Sequence, residues 1–139
     1  MNNKIFIPTL FKRSSRLIDS HIDRLLKKHS VARSQYRAMY YVYLYGEPTQ
    51  KELVEIMDVK GSTLTLIVDV LEQKQWLVRI SDPADKRVKR LRLTSAGKNL
   101  FEQIPDPAKE LHKTILEGLS KEEALELEKL LGKVINNLN

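Results

Sequence analysis

Along its 139 residues the chain leaves the helical hydrophobic period only once, between Leu77 and Leu93. Leu77 to Ile80 reads as a strand, and Ser81-Asp82-Pro83-Ala84-Asp85-Lys86 as a loop of turn-forming residues. Val88 to Leu93 then reads as a second strand whose later half alternates polar with apolar. One hairpin set among helices restricts the fold to a mainly α architecture with a small β-hairpin. The residues before it restrict the fold further. Thr49-Gln50-Lys51-Glu52 is a capping box, in which the Thr hydroxyl and the Glu carboxylate satisfy backbone donors at a helix start. The short helix behind it carries Leu53, Ile56 and Met57 and ends at Asp58. After a turn over residues 58–61 that contains Gly61, a second amphipathic pattern runs through Leu64, Ile67, Val68 and Leu71 to Trp76. A helix-turn-helix followed by a charged hairpin is a winged helix, whose second helix can enter a major groove while the hairpin loop reaches a neighbouring minor groove.

The flanks are helical. From Pro8, a favourable first-turn residue, Leu10, Phe11, Leu17, Ile18, Ile22, Leu25 and Leu26 keep a helical period. Ser34 is the expected cap of a second helix through Tyr36, Met39, Tyr40, Val42, Tyr43 and Leu44, stopped by Gly46 and Pro48. Thr94 and Ser95 open a further helix, broken or kinked at Pro105 and Pro107 and resumed through Leu111, Ile115 and Leu116. Ser120-Lys121-Glu122-Glu123 is a second capping box before Leu127, Leu130, Leu131, Val134, Ile135 and Leu138. Only five glycines and five prolines punctuate the chain, as long helices require. The first and last helices carry apolar stripes for which the monomer offers no cover, so a closed two-fold homodimer is expected. The expected division is residues 1–33 and 95–139 for dimerisation and 34–94 for the winged helix-turn-helix.

Charge points to the partner. Residues 1–45 hold nine Lys and Arg against two acids, and Lys86, Arg87, Lys89, Arg90 and Arg92 crowd into seven positions; the whole chain is at +6. Such clusters suit a polyanion, because each cation beside a phosphate releases condensed counterions. The absence of cysteine excludes a disulfide scaffold, a thiolate metal site and a thiol nucleophile. No Gly-rich phosphate loop, nucleophile elbow or triad is present, so an enzyme is not expected. His21, His29 and His112 have no ligand spacing and read as ordinary polar residues; no metal or cofactor is expected. No apolar run approaches the roughly 18 residues of a membrane span, and a cytoplasmic location is expected.

Over essentially its whole length the sequence resembles the MarR (multiple antibiotic resistance regulator) family of winged-helix transcription factors. The matching segments are Thr49-Gln50-Lys51-Glu52-Leu53, Ser62-Thr63-Leu64-Thr65 with Val68-Asp69-Val70-Leu71-Glu72, Asp82-Pro83-Ala84-Asp85-Lys86-Arg87 in the wing, and Leu93-Thr94-Ser95-Ala96-Gly97. The resemblance implies a cytoplasmic homodimer that binds a palindromic operator on double-stranded DNA and is often released by a small phenolic or anionic molecule. Leu66 and Val70 stand where the family commonly has arginine, and Gln75 where it commonly has glycine. Leucine cannot donate to guanine but can touch a thymine methyl, so Ser62, Thr63, Thr65 and Leu66 become the expected base-reading set. Loss of specific DNA binding, leaving a module for a protein partner, is the alternative that Leu66 and Val70 motivate.

Other site assignments follow from position. Arg87 resembles the family's minor-groove wing arginine, with Asp69 its expected support by resemblance and Asp85 a second candidate. Lys86 and Lys89 are expected at phosphates or solvent, as are Arg90 and Arg92, since alternation sends strand residues to opposite faces. Arg33, Ser34, Gln35 and Arg37 surround one helix start, and Gln50 and Lys51 another; the free N–H groups of such ends suit phosphate. Tyr36, Tyr40 and Tyr43 have two readings, core packing and the lining of a pocket for a small aromatic or anionic effector.

Overall fold

The computed structural model describes residues 6–139. Among them seven helices and one hairpin follow in the order α1 (Ile7–Lys27), α2 (Arg33–Tyr45), α3 (Gln50–Met57), α4 (Gly61–Gln73), β1 (Leu77–Ser81), β2 (Lys89–Leu93), α5 (Ser95–Gln103), α6 (Pro107–Leu116) and α7 (Lys121–Leu138). This is the mainly α winged-helix fold expected from the period change. Two compact units result, one ending at Pro107 and one spanning Ala108–Asn139. The first includes α1 and α5 with the winged helix, so the packing boundary does not follow the division at residues 33 and 95.

Both capping boxes form. The Thr49 hydroxyl accepts from the Glu52 amide at 3.0 Å while the Glu52 carboxylate accepts from the Thr49 amide at 2.9 Å, and Ser120 and Glu123 repeat the exchange at 3.1 and 2.9 Å. At α5 the Thr94 hydroxyl accepts from the Gly97 amide at 3.0 Å. The expected cap of α2 is different. Ala32 is its N-cap, Ser34 lies inside the first turn, and the Gln35 side-chain oxygen reaches back to accept from the Ala32 amide at 3.1 Å. A glutamine three residues on can satisfy that donor without a hydroxyl at the cap. The turn between α3 and α4 also differs in detail: Asp58 takes the left-handed conformation at φ 51°, and Gly61 is already the first residue of α4. A short polar side chain tolerates that region, which left Gly61 free to start the helix.

The core of the first unit is the helix-turn-helix stripe itself. Leu53, Met57, Leu64, Val68 and Leu71 pack with Ala38, Met39 and Val42 of α2 and with Leu77 and Leu91 of the hairpin, all buried. A smaller cluster joins Leu26, Val31 and Ile104, with Trp76 and Leu100 bridging towards the first. β1 and β2 pair antiparallel, Leu77 opposite Leu93 and Ser81 opposite Lys89. A third strand-like contact was not legible in the sequence: Thr49 forms a bridge to Arg90, and the Leu91 amide donates to the Pro48 carbonyl at 2.9 Å. The residues that start α3 therefore also brace the wing. No described helix is long and apolar enough to cross a membrane.

Candidate nucleic-acid interface

α4 presents Ser62, Thr63, Thr65 and Leu66 on its exposed face while Leu64, Val68 and Leu71 anchor the opposite one. Leu66 is 67% exposed, a large apolar side chain held outward by the helix period rather than by any core contact. Beside this face lies an open cleft of about 860 Å³, lined among others by Gln50, Lys51, Thr65, Arg87 and Lys89. The start of α3, the first two turns of α4 and the wing thus meet at one groove, with three cations on its walls.

The wing tip is built by its own acids. Asp82 accepts from the Ala84 amide at 2.7 Å, and Asp85 from the Arg87 amide at 3.0 Å. The Ala84 amide and the Arg90 guanidinium hold the Asp82 carboxyl below its usual range, and Arg87 does the same to Asp85. Arg87 lies 91% exposed against Asp85, with its Nε 3.2 Å from the carboxylate. Asp69 does not support Arg87. Its carboxylate pairs with Arg79 at 2.8 Å, because β1 places that guanidinium directly over the α4 face on which Asp69 stands. Lys86 is exposed. Lys89 reaches the Ser81 hydroxyl at 3.0 Å.

Other expected cations are paired within the chain. Arg90 binds Asp82 at 2.6 Å and the Glu47 carbonyl at 2.8 Å, and Arg92 binds the Glu47 carboxylate at 2.7 Å through Nε. Strand alternation gave no sign of this, since Glu47 comes from the loop after α2. Arg33 pairs with Asp19 at 2.9 Å and with Asp23 at 2.6 Å, two acids one helical turn apart on α1. Ser34 is exposed at the same helix start. Arg37 stands 5.9 Å over the Tyr41 ring. Gln35 also receives Lys74, whose ammonium donates to the Ser30 carbonyl at 3.0 Å and sits 4.6 Å over the Trp76 ring.

The tyrosines of α2 gather round Phe101 of α5, a residue the sequence did not single out. Tyr36 stacks on it at 5.3 Å between centroids, Tyr43 lies at 4.7 Å and Tyr40 at 6.3 Å. Burial foremost, then Asp106 and Tyr40, push the Tyr36 hydroxyl up to about 12, so it stays protonated at any physiological pH. Tyr43 donates to Glu102 at 3.1 Å. All three rings pack on Phe101, and those of Tyr40 and Tyr43 stay half-exposed.

Arg79, which the sequence did not single out, joins both helices of the helix-turn-helix to β1. It touches Gln50 of α3 and Thr65, Asp69 and Glu72 of α4. The available signal was a lone cation in an otherwise apolar strand, following two acids three residues apart on the preceding helix.

The sequence profile of the MarR family matches residues 31–89. The chain is 30% identical over 132 residues to the HTH-type transcriptional regulator MhqR of Bacillus subtilis (strain 168), covering 94% of this chain and 89% of that protein. It superposes on a mutant MarR from E. coli complexed with operator DNA with a TM-score of 0.78 at 27% identity, over 96% of each chain. A mutant MepR from S. aureus gives a TM-score of 0.84 at 25% identity, over 97% of this chain and 100% of that one.

Proposed function

The chain belongs to the MarR family, and from that membership we propose that it is a cytoplasmic transcriptional repressor, without catalytic activity, that binds a pseudo-palindromic operator on double-stranded DNA as a homodimer. The observation that carries this reading is the groove: an exposed polar helix face, Ser62, Thr63 and Thr65, flanked by Lys51, Arg87 and Lys89. A helix face of that kind fits a major groove, and the exposed Arg87 fits the minor groove beside it. The homodimer is supported by uncovered apolar side chains on α1 and on α7, each longer than any other helix of the described residues. A two-fold pair of recognition helices sets half-sites about 34 Å, or roughly 10 base pairs, apart. Release by a small aromatic or anionic effector belongs to the same proposal, with the half-exposed rings of Tyr40 and Tyr43 as the stacking surface it would use.

The test is a gel-shift titration on duplex DNA from upstream of the protein's own gene. A shifted complex is expected whose affinity falls about 10³-fold or more between roughly 50 and 200 mM salt, the loss that six or more phosphate contacts per dimer impose. Binding that ignores salt would remove the phosphate contacts from the proposal. Absence of any shift would favour the second reading, a protein-binding module, for which the outward Leu66 is the supporting feature.

The wing makes its own prediction. Arg87→Ala is expected to weaken binding by about 1 to 3 kcal/mol with little change in folding stability, since the side chain touches only its own loop. Asp69 and Arg87 have different partners, Arg79 and Asp85, so Asp69→Ala and Arg87→Ala should act additively on binding. A non-additive double mutant, measured with the singles at one salt concentration, would mean that DNA brings the two side chains together.

A further inference from the structure

We propose that Arg79 is a positioning residue that sets, through Gln50, the hydrogen-bond polarity with which Thr65 faces DNA; this rests on the DNA-binding reading above. The guanidinium stands between three elements. Its Nε donates to Gln50 Oε1 at 3.3 Å, its two terminal nitrogens to Glu72 and to Asp69 at 2.8 Å, and one of them also to the Thr65 carbonyl at 3.4 Å. A guanidinium has donors only. The Gln50 carboxamide must therefore turn its oxygen to Arg79, which leaves its nitrogen against Thr65 Oγ1 at 3.1 Å. That nitrogen also only donates, so the Thr65 hydroxyl accepts there and spends its own hydrogen on the Gly61 carbonyl at 3.0 Å. The relay runs one way, Arg79 to Gln50 to Thr65 to Gly61, because reversing the carboxamide would set two donors face to face at Arg79.

The groove side receives what the relay leaves over. Thr65 is exposed at the cleft and keeps one free lone pair and its methyl group; Gln50 keeps one amide hydrogen. Thr65 is thus an acceptor only. In a major groove it complements a base that offers a donor, adenine through N6 or cytosine through N4, and is mismatched to the acceptor edge of guanine. An isolated threonine hydroxyl would rotate to suit either kind of edge and would discriminate neither. Arg79 has a second effect on the same face. Asp69 and Glu72 follow Thr65 at helical spacing, and the guanidinium pairs with both carboxylates, offsetting two negative charges on the side of the helix that meets the phosphates.

Selection from a randomised operator library, followed by sequencing, tests the relay on the full chain at one salt concentration. The wild type is expected to enrich adenine or cytosine at one position of each half-site, by about tenfold or more over guanine. Thr65→Val, which keeps the shape and removes the hydroxyl, should flatten that position alone, and Thr65→Ser should keep the preference. Arg79→Met frees the carboxamide and should flatten the same position although it touches no base, while Arg79→Lys, again a donor-only head, should restore part of the preference. Thermal unfolding of each variant separates this from collapse of the fold; if Arg79→Met does not fold, Gln50→Met, which breaks the relay at its middle, should flatten the same position and decides instead. A Thr65→Val variant with an unchanged profile, one that loses a preference for guanine or thymine, or a folded Arg79→Met variant that keeps the wild-type preference overturns the relay alone. A wild type that enriches no sequence overturns the DNA-binding reading and the relay with it.

Discussion

Gly97→Ala should cost the first unit about 3 kcal/mol or more of stability, at the upper end of what overpacking imposes, and lower its melting temperature by roughly 10 °C. A Cβ at this position would stand 1.9 Å from the Trp76 carbonyl oxygen, 2.7 Å from the carbonyl carbon and 2.9 Å from Cα, all backbone atoms. Propensity alone argues the other way, since alanine is favoured over glycine inside a helix by about 1 kcal/mol. Sterics decides because neither partner can retreat. The Trp76 carbonyl accepts from the Thr94 amide at 3.1 Å, and the Trp76 amide donates to Leu71 of α4 at 3.0 Å. The Thr94 hydroxyl ties the same corner to the Gln75 carbonyl at 2.6 Å while capping α5. Gln75 itself holds φ at 61°, a strained conformation for a residue with a side chain, which leaves the corner little tolerance. Gly132→Ala in α7, where a Cβ meets nothing within 4 Å, is the matched control and should be neutral or slightly stabilising. Denaturant unfolding of the two variants checks the pair; equal stabilities would mean that α5 can slide off Trp76.

What the sequence revealed and what it concealed divide along a physical line. Features fixed within one or two helical turns were legible: the capping boxes at Thr49 and Ser120, the stop at Gly46, the breaks round Pro105 and Pro107, and the strands on either side of residues 82–88. Each is decided by neighbours along the chain. Features decided by what folding brings from a distance were not. Nothing along the chain announces that Arg33 pairs with Asp19 and Asp23 of α1, or that Arg92 pairs with Glu47 of the loop after α2. Asp69 reads as a support for the wing residue Arg87 until β1 brings Arg79 over α4. Gly97 belongs to the same group. Its segment stood out by resemblance, but the reason glycine is needed there, a helix start pressed on the backbone of Trp76, exists only in the folded unit.

Charging the apolar face of α7 should weaken operator binding more than Arg87→Ala in the wing does. No residue of this 18-residue helix is buried within the chain, and Ile135 and Leu138 are 58% and 82% exposed. α1 has the same character at its start, where Phe6, Ile7, Leu10 and Phe11 are all exposed. Neither capping nor propensity rewards such stripes; their burial does, at about 25 cal/mol per Å² removed from water, and a second copy of the chain is the partner present wherever the chain is made. Leu131→Glu combined with Ile135→Glu would place four like charges at the proposed two-fold interface, so sedimentation should find a monomer where the wild type is a dimer. The winged helix of the first unit should keep its fold, because its core, from Ala38 to Leu91, draws no residue from α7. DNA affinity should nonetheless fall by about 10²- to 10⁴-fold, the advantage that linking two half-site contacts confers over one. The comparison with Arg87→Ala is the decisive one. Arg87→Ala removes a contact from each half-site and leaves the dimer, whereas the α7 variant leaves every contact and removes the link between them. A charged α7 variant that bound a single half-site as well as the wild type does, yet failed on the full operator, would locate the loss in the link; a variant that stayed dimeric would move the interface off α7.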